Sequence, residues 1–266
     1  MTADRGWVLI TGAGSGLGLE LARVAAQAGH RLMLSDRPGS GIAATGAVLS
    51  AEAGVVVATH EVDLADPGGT DDLWQAAAGC RPLAAVIANA GLGRSGMIGD
   101  DQGGGWPREA EVIGVNITAL TRLVGLAAGV MRAQGAGRIM TVASIAAWGP
   151  APGLASYHAS KAYVLSLSHA LRDELRGSGV SVTALCPGPM RTRFFDRAGV
   201  GAVRLLALHP VVGADAVARA GWAAMMAGRA VLIPGWRNRL TVWATHLGPK
   251  TIVARVTGWL WRKRDR

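Results

Sequence analysis

Two residues four positions apart, Tyr157 and Lys161, could form a proton-transfer pair. Positions i and i+4 lie on one face of an α-helix, so the phenol and the ammonium can approach each other. A tyrosine titrates near ~10, and a base that works near pH 7 needs a pKa lower by about 3, which corresponds to roughly 4 kcal/mol. A nearby cation lowers the pKa of a phenol. The spacing therefore predicts an acid/base centre, although a half-buried ring beside a solvated lysine has the same spacing.

A serine upstream of this pair could bind the oxygen atom of a substrate. Ser144 lies thirteen residues before Tyr157. Its hydroxyl could donate to a carbonyl or accept from an alcohol while the phenol moves the proton. The predicted chemistry is proton transfer coupled to hydride transfer.

The beginning of the chain has the pattern of a nucleotide-binding turn. An apolar run at 7–10 is followed by a glycine-rich stretch and then by apolar residues at helical spacing. A glycine-rich turn between a strand and a helix lets the backbone approach a pyrophosphate at the helix N-terminus. A flexible glycine loop is the alternative, which the flanking strand and helix disfavour. The predicted contacts in this turn are Gly12, Gly14, Ser15, Gly16, Leu17 and Gly18.

The residue that ends the second predicted strand bears on the choice of cofactor. Asp36 lies eighteen residues after Gly18. A carboxylate here accepts hydrogen bonds from a ribose 2′-hydroxyl and repels a 2′-phosphate, which favours NAD. Arg37 could instead pair with a phosphate or lie over the adenine, so NADP is the alternative. A surface turn without a ligand is a third interpretation.

Two later strand ends add candidate cofactor contacts. Asp63 and Leu64 follow a third apolar stretch, where a carboxylate could meet the adenine amino group. Asn89, Ala90 and Gly91 close a fourth apolar stretch. The small side chains there permit close approach of a ligand, and Asn89 could brace neighbouring strands, although these residue types also form ordinary turns.

In order and spacing, these motifs resemble those of the short-chain dehydrogenases/reductases, over roughly residues 5–233. The resemblance implies one Rossmann-like α/β domain with a doubly wound parallel sheet of about seven strands. It also implies a homodimer or homotetramer built on long helices near 107–133 and 155–176. The matching positions are Thr11 to Gly18, Asp63, Asn89 to Gly91, Asn116, Ser144, Tyr157, Lys161, Pro187, Gly188 and Thr192.

The resemblance further implies roles for individual residues. Tyr157 would be the acid/base, and Ser144 would hold the substrate oxygen. Lys161 would bind the nicotinamide ribose and lower the Tyr157 pKa, while Asn116 would hold a water that connects Lys161 to a proton relay. The nicotinamide itself would contact Pro187, Gly188 and Thr192.

The resemblance also implies that the segment 190–210 closes over the substrate. Its apolar residues predict a largely apolar pocket, although a packed pair of helices would have the same composition. We expect an NAD-dependent oxidoreductase that interconverts an alcohol and a ketone or aldehyde. An NADP-dependent carbonyl reductase and a non-catalytic nucleotide-binding or membrane-surface protein are the alternatives. The substrate candidates are Ser144, Trp148, Tyr157, Met190, Phe194 and Phe195.

The C-terminal stretch holds most of the net charge of +9. Residues 229–266 contain nine Lys and Arg residues and one acidic residue, Asp265. We divide the chain into a catalytic domain, 1–235, and a basic helical extension, 236–266. The extension could cover the pocket, pack against a sister subunit, or lie on an anionic membrane surface. One side of its predicted helix holds Ile252, Val253, Val256, Trp259 and Leu260.

The composition also bears on metal binding, nucleic-acid binding and cellular location. The two cysteines do not form a disulfide framework, and the six histidines lack the spacing of metal ligands, so we expect no metal. No nucleic-acid-binding motif accompanies the basic residues. The N-terminus has no secretory pattern, so we expect a cytoplasmic protein, peripheral at the membrane if the extension binds lipid.

Overall fold

The computed structural model describes residues 5–100, 105–190, 198 and 211–261. Its strands are β1 (Trp7–Thr11), β2 (Arg31–Asp36), β3 (Val57–Glu61), β4 (Leu83–Ala88), β5 (Gly137–Val142), β6 (Val180–Leu185) and β7 (Val231–Leu232). All pair in parallel in one sheet, in the order β3-β2-β1-β4-β5-β6-β7. The predicted doubly wound sheet of about seven strands is confirmed.

Helices connect the strands and continue beyond the last one. A π-helical turn, Gly114–Ala119, joins α4 to α5, and a 3-10 helix, Ile145–Trp148, precedes α6. The extension forms two helices rather than one, because Gly248 and Pro249 separate α8 from α9. The described helices are α1 (Gly16–Gln27), α2 (Ile42–Ala53), α3 (Gly69–Ala76), α4 (Gly105–Ile113), α5 (Leu120–Gln134), α6 (Ala155–Glu174), α7 (Ala214–Met226), α8 (Trp236–Leu247) and α9 (Lys250–Trp261).

The central strands β1, β2 and β4 are buried on both faces, which explains their apolar runs, whereas the edge strand β3 is only partly buried. Val8 and Ile10 of β1 pack with α1, α2 and α7, whereas Leu9 packs on the opposite side with α3, α5 and α6. Strands covered on both sides read as unbroken apolar stretches because neither face is solvated. This is why the strands could be located from the sequence.

One helix in the described part of the chain, Gly105–Gln134, is long and apolar enough to cross a membrane, with a mean hydropathy of 1.5. Half of its most apolar stretch is buried within the fold. Leu123, Ala127 and Met131 on this helix pack in the main core. A core helix of this length meets the same criterion, so the helix is accounted for by packing on the sheet.

The topology directs the loops that carry candidate residues to one crevice. From β1 the chain winds outward to β2 and β3, and from β4 it winds the other way to β5, β6 and β7. In such sheets the ligand crevice lies beyond the carboxyl ends of the strands where the winding reverses. Here that point lies between β1 and β4.

Candidate active site

A cleft at this point brings together most of the residues selected from the sequence. The predicted cofactor contacts that line it are Gly12, Ser15, Gly16, Leu17, Gly18, Asp36, Arg37, Asp63, Leu64, Asn89, Ala90, Gly91, Pro187 and Gly188. The predicted catalytic or substrate residues that line it are Ser144, Tyr157, Lys161 and Met190. Three others, Gly14, Asn116 and Trp148, are not part of the lining. Thr192, Phe194 and Phe195 lie outside the described residues.

The glycine turn after β1 leaves its backbone open to the cleft. Gly12 and Gly16 have left-handed backbones, with φ of 65° and 58°. A Cβ added to Gly18 would lie 2.1 Å from the Gly12 carbonyl oxygen, so no larger residue fits there. Helix α1 begins at Gly16, and the N–H groups of a first helical turn have no partner within the helix. This turn fits a pyrophosphate.

Backbone N–H groups hold the Asp36 carboxylate in place at the end of β2. Gly14 N donates to its Oδ2 at 2.8 Å, and Arg37 N donates to its Oδ1 at 2.8 Å. Arg37 itself is exposed. The cleft therefore has a fixed negative charge beside the glycine turn, with a solvated cation next to it.

Asn89 braces β4 against β1, as expected. Its Nδ2 donates to the carbonyl oxygens of Thr11 and Gly12 at 2.9 and 3.1 Å. The Thr11 hydroxyl accepts in return from the N–H groups of Asn89 and Ala90. These bonds fix the floor of the cleft where a cofactor would cross the two strands.

Ser144, Tyr157 and Lys161 meet at the end of β5. Ser144 Oγ accepts from Ala146 N at 3.1 Å, which caps the 3-10 helix, and it hydrogen-bonds the buried Tyr157. Lys161 Nζ lies 5.8 Å from the Tyr157 ring centre and donates to the Val142 carbonyl oxygen at 2.8 Å. A hydroxyl, a phenol and an amine thus face the same region of the cleft.

The ionisation of this pair differs from the prediction. Burial raises the pKa of Tyr157 to about 12, an effect only partly opposed by its hydrogen bond with Ser144. Burial also lowers the pKa of Lys161 to about 8, although nearby Cys186 raises it. In both side chains burial favours the neutral form. In the polypeptide by itself, burial therefore outweighs the predicted lowering of the Tyr157 pKa. The lowering by Lys161 together with an oxidised cofactor stays a prediction.

Asn116 lies behind the cleft wall. It is fully buried in the π-helical turn, where its Nδ2 donates to Leu92 O and to Ser160 Oγ, both at 2.9 Å. Its Oδ1 accepts from Leu92 N at 2.8 Å. Ser160 Oγ in turn donates to Tyr157 O at 2.8 Å. Asn116 thus ties the loop after β4 to the helix that carries Tyr157, and its predicted contact with a water stays a prediction.

Trp148 was a predicted wall of the substrate pocket, and the structure contradicts this. Its ring packs against the main core. Ile145 and Ala146 of the same 3-10 helix line the cleft, whereas Trp148 does not. The Trp148 carbonyl oxygen accepts from Lys250 Nζ at 3.1 Å, which attaches α9 to this helix.

Residues that were not individually predicted also line the substrate end of the cleft. His158, beside Tyr157 on α6, directs Nδ1 at the Gly149 carbonyl oxygen, so Nδ1 donates and Nε2 is left as an acceptor. Nε2 is buried without a hydrogen-bond partner among the described residues, and burial lowers the His158 pKa. Adjacency to Tyr157 was the signal that could have identified it. The extension contributes Thr241, Thr245, Thr257, Leu260 and Trp261.

Known proteins that are similar to this chain are dehydrogenases and other oxidoreductases. A family model described as short chain dehydrogenase matches residues 6–199. The chain is 32% identical over 228 residues to 1-deoxy-11-beta-hydroxypentalenate dehydrogenase of Streptomyces avermitilis, covering 83% of this chain and 81% of that protein. It is 31% identical over 196 residues to "Probable oxidoreductase EphD" of Mycobacterium tuberculosis, covering 72% of this chain. The match spans only 32% of that longer protein.

Solved structures agree over nearly the whole chain. A short-chain dehydrogenase from Sphingobium yanoikuyae in complex with NADPH superposes with a TM-score of 0.80 at 31% identity, covering 91% of this chain and 93% of that one. A short chain dehydrogenase/reductase from Burkholderia phymatum in complex with NAD superposes with a TM-score of 0.81 at 27% identity, covering 93% and 95%. Both nicotinamide cofactors therefore occur among similar structures.

Proposed function

The chain belongs to the short chain dehydrogenase family, and we propose that it prefers NAD(H) and acts on an apolar alcohol or carbonyl compound. It is an oxidoreductase acting on CH–OH and C=O groups with a nicotinamide cofactor. The observation that carries the proposal is the Asp36 carboxylate, held by two backbone N–H groups beside the glycine turn.

Asp36 supports NAD(H) through both charge and hydrogen bonding. Its oxygens can accept from a ribose 2′-hydroxyl, whereas a 2′-phosphate would meet a negative charge that cannot swing away. Exposed Arg37 is the feature that favours the alternative, because it could pair with a 2′-phosphate. Asp36 favours NAD(H) more strongly than Arg37 favours NADP(H), because the charge of an exposed side chain is screened by solvent and salt.

The cofactor preference is tested by comparing kcat/KM for NADH and NADPH. We expect NADH to be preferred, and the variant Asp36→Asn to reduce that preference about tenfold or more, which corresponds to about 1.4 kcal/mol. Asparagine removes the charge and keeps one acceptor oxygen, so it retains one of the two backbone N–H contacts of Asp36. The matched variant Arg37→Gln should not reduce the preference. A higher kcat/KM with NADPH in the unaltered protein would overturn the proposal.

Catalysis is assigned to Tyr157, with Ser144 holding the substrate oxygen. When bound, a nicotinamide cofactor supplies or accepts the hydride. In the reducing direction the buried Tyr157 hydroxyl donates a proton to the developing alkoxide, and the Ser144 hydroxyl donates a hydrogen bond to the same oxygen. A neutral phenol suits this direction, because burial keeps Tyr157 protonated at neutral pH.

Removal of the phenolic hydroxyl tests this assignment. Tyr157→Phe should lower kcat by about 10²-fold or more, in the range expected for loss of general acid catalysis. Binding of NADH, followed by quenching of tryptophan fluorescence, should be retained. The matched variant Tyr163→Phe, on the same helix but outside the cleft lining, should keep normal turnover. Normal turnover in Tyr157→Phe would exclude the role.

The substrate end of the cleft supports an apolar substrate. Ile145, Ala146, Met190, Leu260 and Trp261 contribute apolar wall around the catalytic groups. Because apolar walls favour substrates with hydrocarbon next to the reacting oxygen, catalytic efficiency should rise with substrate size. A series of ketones of increasing chain length, assayed by absorbance of the reduced nicotinamide, checks this. The lowest kcat/KM with the longest ketones would contradict it.

A further inference from the structure

The outward sides of α8 and α9 carry stripes of apolar residues that are exposed to solvent. On α8 the stripe follows the spacing i, i+4, i+7 and i+11, and each of its residues is more than half exposed. On α9 the spacing i, i+4 and i+7 is repeated with residues about half exposed. The stripes consist of Trp236, Leu240, Trp243, Leu247, Ile252, Val256 and Trp259.

These helices are attached to the domain by their other sides. Asn238 and Val242 of α8 are buried, and Asn238 lies against Gly188 at the cleft. Val253 of α9 is buried next to Gly149. A helix at a protein surface normally turns its apolar stripe towards the core and its polar residues towards water. Here a second apolar stripe is exposed on the side away from the domain.

The charges beside the stripes are positive. At 100° per residue, Arg237 and Arg239 lie on either side of the α8 stripe, and Arg237 also lies over the Trp236 ring at 5.3 Å. Arg255 lies beside the stripe of α9. Residues 229–261 contain no Asp or Glu. Four further basic residues follow in the sequence at 262–266.

We propose that these two stripes form a lipid-docking face that binds the surface of a membrane containing anionic lipids. Tryptophan prefers the headgroup level of a bilayer, aliphatic side chains insert just below it, and flanking arginines pair with anionic headgroups. This combination is present on both helices. The inference concerns the outer surface and does not depend on the proposed cofactor or substrate.

Charge argues against a second copy of the chain as the occupant. A two-fold symmetric contact brings the same surface of each copy together, so the arginines beside the stripes would face their equivalents without acidic partners. Nucleic acid fits less well, because bases stack on aromatic rings, whereas four of the seven stripe residues are aliphatic. An anionic lipid surface satisfies both the apolar and the basic components.

Flotation of the full chain with vesicles tests the proposal. We expect binding to vesicles of equimolar phosphatidylcholine and phosphatidylglycerol, weaker binding in high salt, and little binding to phosphatidylcholine alone. The triple variant W236S/W243S/W259S should bind about tenfold or more weakly. The matched control is W106S, because Trp106 on α4 is 71% exposed and Trp236 is 68% exposed. W106S should bind like the unaltered protein.

A second variant tests the charges without removing apolar surface. R237Q/R239Q should lose much of the salt-dependent binding, whereas R132Q/R176Q, with exposed arginines outside the extension, should retain it. Turnover of a water-soluble alcohol should be normal in all variants, which verifies folding. The proposal is overturned if the unaltered protein fails to float, or if W236S/W243S/W259S floats equally well. A change in oligomeric state of that variant without vesicle binding by the parent would instead identify a second copy as the occupant.

Discussion

The phenol of Tyr157 should stay protonated far above neutral pH in the polypeptide by itself. Burial raises its pKa to about 12, and burial lowers the pKa of Lys161 to about 8. At pH 10 a phenol with a pKa of 12 is roughly 1% ionised, whereas a solvated tyrosine with a pKa near ~10 is about half ionised. The two environments therefore give very different amounts of tyrosinate at the same pH.

Binding of the oxidised nicotinamide cofactor should lower the raised pKa of Tyr157. For Tyr157 to act as a base near pH 8 during alcohol oxidation, its pKa must fall by about 4, which corresponds to roughly 5 kcal/mol. A positive charge in the cleft favours the phenolate, and hydrogen-bond acceptors beside Lys161 favour its ammonium form. We expect both effects when oxidised cofactor binds, so alcohol oxidation should accelerate with rising pH as Tyr157 loses its proton.

Near-ultraviolet absorbance of tyrosinate measures the effect directly. The chain has two tyrosines, so Tyr163→Phe leaves Tyr157 as the sole signal. The double variant Tyr157→Phe/Tyr163→Phe provides the blank for tryptophan and scattering. We expect little tyrosinate up to pH 10 without cofactor and a clear signal at lower pH with oxidised cofactor. A midpoint at or below pH 10 without cofactor would refute the argument from burial.

Three substitutions test the packing around the cleft. Gly188→Ala should raise the KM for cofactor about tenfold, because a Cβ there would lie 2.3 Å from Asn238 Oδ1, and adding Asn238→Ala should restore it. Gly18→Ala should abolish cofactor binding measured by calorimetry, whereas Gly125→Ala, with open space around its Cβ, should be tolerated. Ser160→Ala should lower the Tm by about 5 °C in calorimetric scans. The substitution leaves one N–H of the buried Asn116 side-chain amide without its acceptor, which costs roughly 1–3 kcal/mol. An unchanged value in any of these assays would contradict the contact concerned.

The elements that could be predicted are those with a local signal. Buried parallel strands give continuous apolar runs, and the turn after β1 needs glycines because the backbone at Gly12 is left-handed and Gly18 has no room for a side chain. Both features act within a few residues of the chain. The sheet and the cofactor turn were therefore located from the sequence. Helical spacing brought Tyr157 and Lys161 together, and the family resemblance implied the position of Ser144 beside them.

Other features of the site depend on how deeply a side chain is buried and on what it contacts. The spacing of residues in the sequence does not determine either property. The sequence brings Tyr157 and Lys161 together but does not reveal that both are buried, and burial reverses the expected shift of the phenol pKa. Asn116 has the predicted position, but its amide is used by the backbone of Leu92. Trp148 follows Ser144 closely in the sequence, yet it packs against the main core.

The helices of the C-terminal extension are apolar on two sides, so their sequence pattern does not show which side packs on the domain. The spacing predicts that Val253, Val256 and Trp259 lie along one side of a helix. In the structure Val253 faces the domain, while Val256 and Trp259 face outward. An apolar pattern that is wider than one contact surface can serve two surfaces, and composition does not separate them.

The two sides of the extension can be separated by experiment, because they make different contacts. Thr241 and Thr245 on the inner side of α8 line the cleft, so Thr245→Val should change the KM for substrate and leave vesicle binding intact. Trp243→Ser on the outer side should have the opposite effect. One helix thickness, about 10 Å, separates these sides. If both substitutions changed both properties, the extension would act as a single packed unit and the assignment of separate faces would fail.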